Sequence, residues 1–227
     1  QPGCHFPSKA IAGVGVAFYL LLALRSKLRE EGFFSERAEP NFAHWLDLVA
    51  LGSVADVVPL DKLNRTLIHQ GIERIRAGRC RPGILALLQL AGRDHTQLQA
   101  SDLGFTVGPR LNAAGRLDNM TVGIDCLLAE SPEHAHSLAA ELDALNRERR
   151  TIEQGMQNEA LADLDAEWQA LDGAPLPALL VLYRPEWHEG VVGLLASRIK
   201  ERYHRPTVVF TDSESGDLKG SARSIEG

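Results

Sequence analysis

Apolar residues recur at helical spacing over the first 130 positions and gather into short continuous runs near the end. Residues 8–31, SKAIAGVGVAFYLLLALRSKLREE, predict a helix capped by Ser8, with Gly13 and Gly15 permitting close packing. A polar loop reaches about Asn41, and a short helix is expected over about 42–51. Leu63, Leu67, Ile68, Ile72 and Ile75 mark one helix face, and Gly78 is placed to stop that helix. Pro82 opens another short helix, 83–92.

Residues 101–119, SDLGFTVGPRLNAAGRLDN, interrupt the pattern with Gly104, Gly108, Pro109 and Gly115, and read as a loop. After a short helix (121–129), Ser131-Pro132-Glu133 is a helix start, and the helical pattern runs to about 170. That long helix is polar on most sides, as helices bridging two domains often are. A linker is expected at 172–177, a buried strand at 178–183, a helix at 189–203 and a second strand at 207–210. Strand, helix, strand implies an α/β fold with part of a parallel sheet. No internal repeat is present.

Composition narrows the class. The 227 residues suffice for one large domain or two small ones, and 44% apolar content is that of a globular chain. The longest apolar run, residues 10–24, falls short of the roughly 18–20 residues that span a membrane. The opening QPGCHFPSK lacks the pattern of a secretory signal. Cys4, Cys80 and Cys126 are far apart, form no CxxC zinc pattern, and suit a reducing cytosol. With no Met at the start and a stop just after a Gly/Ser/Arg stretch, the chain is expected to be a fragment.

A net charge of −6 argues against nucleic-acid binding by the chain as a whole. Charge is uneven, however. Arg65, Arg74, Arg76, Arg79, Arg81 and Arg93 are followed by Arg110 and Arg116, while acids gather at 130–172. A basic middle fits a local phosphate-binding face, and a solvated helix surface would look similar.

Four stretches could carry chemistry. In WLDLVALGSVADVVPL (45–60), Asp56 sits among apolar residues. It is either a cap or salt-bridge partner of Lys62 or Arg65, or an oxygen ligand for a hard divalent cation. In GPRLNAAGR (108–116), Arg110 and Arg116 flank a turn containing Asn112. Guanidinium forks pair with phosphate oxygens, and small residues admit backbone N–H groups to the same anion; two surface arginines in a loop are the plainer reading. His188 and Glu189 open a helix with Gly190 and Gly193 in its first turns, an arrangement suited to an anion or simply to capping and packing. Ser221, Arg223 and Ser224 beside Gly220 offer several donors in a short span.

Taken in order, LDLVALGSVADVVPLDKLNR, GPRLNAAGRLDN, HEGVVGLLASRIKERYHRP and GSARSIEG resemble the RecJ family of bacterial single-strand-specific DNA exonucleases, within the DHH phosphoesterase superfamily. The resemblance extends over nearly the whole chain. It implies the C-terminal part of a DHH domain (1–130), a connecting helix (131–171) and the first part of an α/β DHHA1 domain (172–227). It implies 5′-to-3′ hydrolysis of single-stranded DNA in recombination and repair, with a two-metal site filled by manganese or magnesium. Asp56 matches the metal-binding and catalytic aspartate of the family's fourth motif. Arg110, Asn112 and Arg116 match its RxNAxGR substrate motif, and His188, Gly190, Ser221 and Arg223 match DHHA1 substrate-binding positions. Single-strand-binding protein and a helicase become candidate partners. The family's DxD and DHH motifs, which supply most metal ligands, are absent, so the piece alone is expected to be inactive. Competing expectations are a DHH phosphodiesterase acting on short oligonucleotides or cyclic dinucleotides, and a catalytically silent structural relative.

Overall fold

Helices alone supply the core of the first part of the chain. The computed structural model describes residues 3–170, 177–213 and 215–225. Its residues form a helix-rich α/β structure in two units, residues 1–114 with 120–143, and residues 115–119 with 144–227.

The first unit holds α1 (Gly13–Glu30), α2 (Leu46–Ala55), α3 (Lys62–Arg76) and α4 (Pro82–Leu90); α3 and α4 follow the predicted spacing, while α2 lies about four residues beyond the helix expected over about 42–51, whose first residues form a 3-10 turn (Phe42–Trp45). Ile75, Ile84, Leu87, Leu88, Leu98 and Leu103 are fully buried. Gly71 lets α3 lie on α2, since a Cβ there would stand 2.2 Å from the Leu46 carbonyl oxygen. Gly78, at φ 68°, ends α3 as expected.

Two further local expectations change. The N-cap of α1 is Ala12, four residues beyond Ser8 and without a side-chain cap, and the Ser8 hydroxyl accepts from the Ala10 N–H instead. The predicted loop at 101–119 is mostly helix. α5 (Ala100–Asp102), a π turn (Leu103–Val107) and α6 (Gly108–Leu117) run on without a break. Pro109 has no N–H to give the turn before it. The ladder widens there, with the Gly108 N–H reaching the Leu103 carbonyl, so the proline is absorbed in a π turn and does not end the helix.

α7 (Thr121–Leu128) precedes α8 (Pro132–Ala170), 39 residues long. Ala135, Ala139, Leu142, Asn146, Glu153, Met156, Ala160 and Leu164 are buried along α8. They recur at three-, four- or seven-residue spacing, as one helix face does, with the remaining faces polar as predicted.

In the second unit, β1 (Leu180–Tyr183) pairs parallel with β2 (Thr207–Asp212), which pairs antiparallel with β3 (Leu218–Arg223). α9 (Val192–Tyr203) connects β1 to β2. Leu180, Leu182 and Val209 from the sheet meet Leu195, Ala196 and Ile199 of α9 in one core. β3 was not expected, because LKGSAR has no apolar alternation; its burial is slight throughout. The expected linker lies outside the described residues except for Pro177. Among the described residues no helix is long and apolar enough to cross a membrane.

Candidate functional site

Asp56 is the C-cap residue of α2, its N–H donating to the Gly52 carbonyl at 3.0 Å. It is exposed, and the next residue, Val57, is 86% exposed at φ 53°. The expected apolar packing around Asp56 is therefore absent among the described residues. Among them, its carboxylate also has no ion-pair partner, and Arg65 donates to the Leu60 carbonyl at 2.8 Å. The buried carboxylate of the 45–60 stretch is Asp47, at 0% exposure, with Arg81 as its partner. Among the described residues no three His, Cys, Asp or Glu side chains are grouped to hold a metal ion. Asp56 is thus a single potential donor, and the described residues do not group into a cation site.

Arg110 and Asn112 lie on α6, not in a turn. Arg110 is largely buried, its Nε donating to Asp143 Oδ1 at 2.9 Å and its Nη1 to the Thr106 carbonyl at 2.8 Å. Its charge is thereby matched and part of its fork is committed. Asn112 is exposed.

The second unit brings five predicted residues into two adjoining groups. Arg116 Nη1 donates to the Gly190 carbonyl at 3.1 Å, and the Gly190 N–H donates to His188 Nδ1 at 3.1 Å. Neutral His188 accepting at Nδ1 carries its proton on Nε2, which stays available as a donor. Gly190 is required sterically: a Cβ would lie 2.0 Å from the Arg116 carbonyl oxygen. His188 and Gly190 precede α9, which starts only at Val192, so they lie on a turn ahead of the helix.

That turn is pinned from several sides. Arg184 gives a two-bond fork to Asp163 at 2.9 and 2.8 Å, and Trp187 Nε1 donates to Glu159 at 2.7 Å. The buried Thr211 hydroxyl donates to the Trp187 carbonyl at 2.5 Å. Arg184 holds the Asp163 carboxyl below its ordinary range, chiefly through that hydrogen bonding.

Ser221 and Arg223, two apart on β3, project from the same face of the strand. Arg223 Nη1 donates to Ser221 Oγ at 2.8 Å, and its Nε donates to Ser197 Oγ at 3.1 Å. Gly193 leaves room for them, because a Cβ there would be 3.1 Å from both Arg223 Nη2 and Ser221 Oγ. Among the described residues Arg223 has no carboxylate partner. The result is a guanidinium with unmatched charge, flanked by two hydroxyls and close to the first turn of α9.

Sequence reasoning missed Ser197, a hydroxyl inside an ordinary amphipathic helix with no local signal. It also missed Asn146, Arg149, Glu153 and Arg198. The i+3 and i+4 spacing of Asn146, Arg149 and Glu153 on α8 was visible but indistinguishable from the surrounding charge, and Arg198 lies on α9. Arg149 Nη1 donates to Glu153 Oε2 at 2.6 Å and Arg198 Nε to Glu153 Oε1 at 3.1 Å.

Comparison with known proteins gives consistent neighbours. The DHHA1 domain family model matches residues 177–227. The single-stranded-DNA-specific exonuclease RecJ of Dickeya dadantii is 62% identical over 99% of this chain, which spans 39% of that relative. The Escherichia coli RecJ is also 62% identical over 99% of this chain and 39% of its own length. The chain thus spans about two fifths of the curated relatives it matches. A crystal structure of Thermus thermophilus RecJ with Mg2+ has a TM-score of 0.78 at 33% identity, covering 97% of this chain and 31% of the other. An exonuclease RecJ bound to manganese also has a TM-score of 0.78 at 33% identity, over 99% of this chain and 52% of the other.

Proposed function

We propose that this chain, which belongs to the RecJ family as a segment carrying DHHA1-domain residues, is the strand-holding part of a 5′-to-3′ exonuclease. Its substrate is single-stranded DNA, its setting recombination and repair in the cytoplasm. Residues 1–130, 131–171 and 172–227 serve as its DHH, connecting and DHHA1 parts.

The observation that carries this reading is the pair of groups ahead of and beside α9. Arg116 and His188 are joined through Gly190, and Arg223 is oriented by Ser197 and Ser221. Guanidinium and hydroxyl donors fixed by backbone contacts suit backbone phosphates, which any base sequence presents. Arg116 and Arg223 bind phosphate oxygens, His188 donates through Nε2, and Ser221 orients Arg223. Arg110, matched by Asp143, keeps α6 in place and offers the N–H groups not given to Asp143 and Thr106 to the strand, with Asn112 beside it in the motif.

Relatives of known structure were solved with Mg2+ or Mn2+. Asp56 is assigned as one oxygen donor to such a cation in the whole protein. Among the described residues no further side chains group with Asp56 to complete that site, and the 227-residue chain alone is expected to bind manganese weakly and not to turn over. Single-strand-binding protein and a helicase are assigned as partners of the whole protein.

The test uses the protein containing this chain, with manganese, on end-labelled single strands, duplexes and dinucleotides. Single strands should be degraded from the 5′ end. Asp56→Ala should remove most activity. Arg116→Gln and Arg223→Gln should each weaken single-strand binding on the order of tenfold, the worth of one charged hydrogen bond. Preference for dinucleotides, or full activity in Asp56→Ala, would overturn the reading.

A further inference from the structure

The buried stripe of α8 contains charge that the contacts above do not use. Where the spacing calls for apolar residues, the helix places Asn146 at 1% and Glu153 at 8% exposure. Burying a carboxylate costs several kcal/mol unless it is matched. Glu153 is matched twice, by Arg149 at 2.6 Å and by Arg198 of α9 at 3.1 Å. Asn146 Oδ1 accepts from Arg149 Nη2 at 3.1 Å, while Arg149 Nε is buried with no partner.

The balance of charge is uneven. One carboxylate serves two guanidiniums, and Arg150 and Arg116 lie close enough to act on Arg149. Burial pushes the Arg149 pKa down, Glu153 opposes this, and the charges of Arg150 and Arg116 push it down further. A surplus of partly buried cations is stabilised by an anion. Arg198 is positioned to receive one: its side chain is 57% exposed, and among the described residues only its Nε is committed, to Glu153. Its two terminal nitrogens remain in the planar fork that matches phosphate.

We propose that Arg198, fixed by Glu153 and backed by Arg149, binds one further backbone phosphate of the strand. The assignment rests on the single-strand reading above. The alternative, that the Glu153 tie only fastens α9 to α8, requires no ligand at Arg198.

Salt dependence separates the two. For single strands, log K falls against log salt with a slope of about −0.7 per phosphate neutralised. Binding of a labelled oligothymidine by the protein containing this chain is measured without divalent cations over a salt series. Arg198→Gln should reduce the magnitude of the slope by about 0.7, and Arg198→Lys, which keeps the charge, should restore it. If Arg116→Gln reduces the slope while Arg198→Gln leaves it unchanged, the extra phosphate contact is overturned and the single-strand reading stands. If Arg198→Lys loses the slope as Arg198→Gln does, the tie to Glu153 is the whole role of Arg198. If the unsubstituted protein shows no salt-dependent binding, the single-strand reading itself falls.

Discussion

Asp47→Ala is expected to be among the most damaging single changes in the first unit. Asp47 is completely inaccessible. Its Oδ1 accepts from the Leu48 N–H at 2.8 Å and Arg81 Nη1 at 2.7 Å, and its Oδ2 accepts from the Arg81 N–H at 2.9 Å. Arg81 is the N-cap residue of α4 and has no capping side chain of its own, so Asp47 ties the start of α2 to the start of α4. Truncation takes the acceptor from the Leu48 and Arg81 N–H groups and leaves the Arg81 guanidinium with the neutral His44 carbonyl in place of a carboxylate. One-sided loss of a buried ion pair costs roughly 3–5 kcal/mol. The Arg81 side chain is 19% exposed, so some water reaches it and the lower end, ~3 kcal/mol, is expected. Against a total of roughly 5–15 kcal/mol, that is a large fraction. Urea unfolding at constant m-value reads the change as a lower midpoint. Replacing Arg81 by Met as well should recover part of the loss, because no charge is then left unmatched. A loss under ~1 kcal/mol, or strict additivity of the two changes, would refute this account.

Two further outcomes follow from the second unit. Gly190→Ala puts a methyl group 2.0 Å from a backbone oxygen, which cannot rotate away as a side chain could. The turn must shift, breaking the Arg116–Gly190 bond, and single-strand affinity should fall on the order of tenfold with helix content unchanged by circular dichroism. Affinity within twofold of the unsubstituted protein would contradict it. Asp163, held below its ordinary pKa of 3.8 by Arg184, is a group whose folded value is depressed. Its contribution to stability is full above that ordinary value and is lost as pH falls through the lower folded one. The melting-temperature gap between the protein and its Asp163→Asn variant should therefore be constant above about pH 4 and close below it. A gap that does not narrow as pH falls below about 4 would contradict the assignment.

Much of the helical layout was legible because apolar spacing decides which face is buried. α3 and α4 were readable from Leu67, Ile72 and Ile75, with Gly78 and Pro82 as punctuation. The 101–119 segment was not, since glycine and proline are read as breaks, whereas a shift of the hydrogen-bond ladder at Pro109 keeps the chain helical. β3 escaped because its six residues lie on a sheet edge with little burial, so no alternation was imposed on them. Asp56 and Asp47 look alike in an apolar run. Only the partner tells them apart, and Arg81 lies 34 residues from Asp47. The same holds for Glu153, whose second partner, Arg198, is 45 residues away.

Net charge says little about a local phosphate contact for a related reason. A total of −6 disfavours a nucleic-acid surface only if acids and bases are evenly mixed. Pairing removes bases as well as acids: Asp47 with Arg81, Asp143 with Arg110, Asp163 with Arg184, Glu153 with Arg149 and Arg198, four acids against five arginines. The sum stays negative, so what a phosphate could meet depends on where individual arginines stand and on what holds them. Arg110 and Arg116 belong to one short motif and looked equivalent, yet one faces a carboxylate at 2.9 Å and the other a carbonyl at 3.1 Å. A carbonyl orients a guanidinium without cancelling its charge. Arg223 is oriented by hydroxyls in the same way. Arginines held by neutral acceptors keep both direction and full charge, so the strand should engage Arg116 and Arg223 more strongly than Arg110.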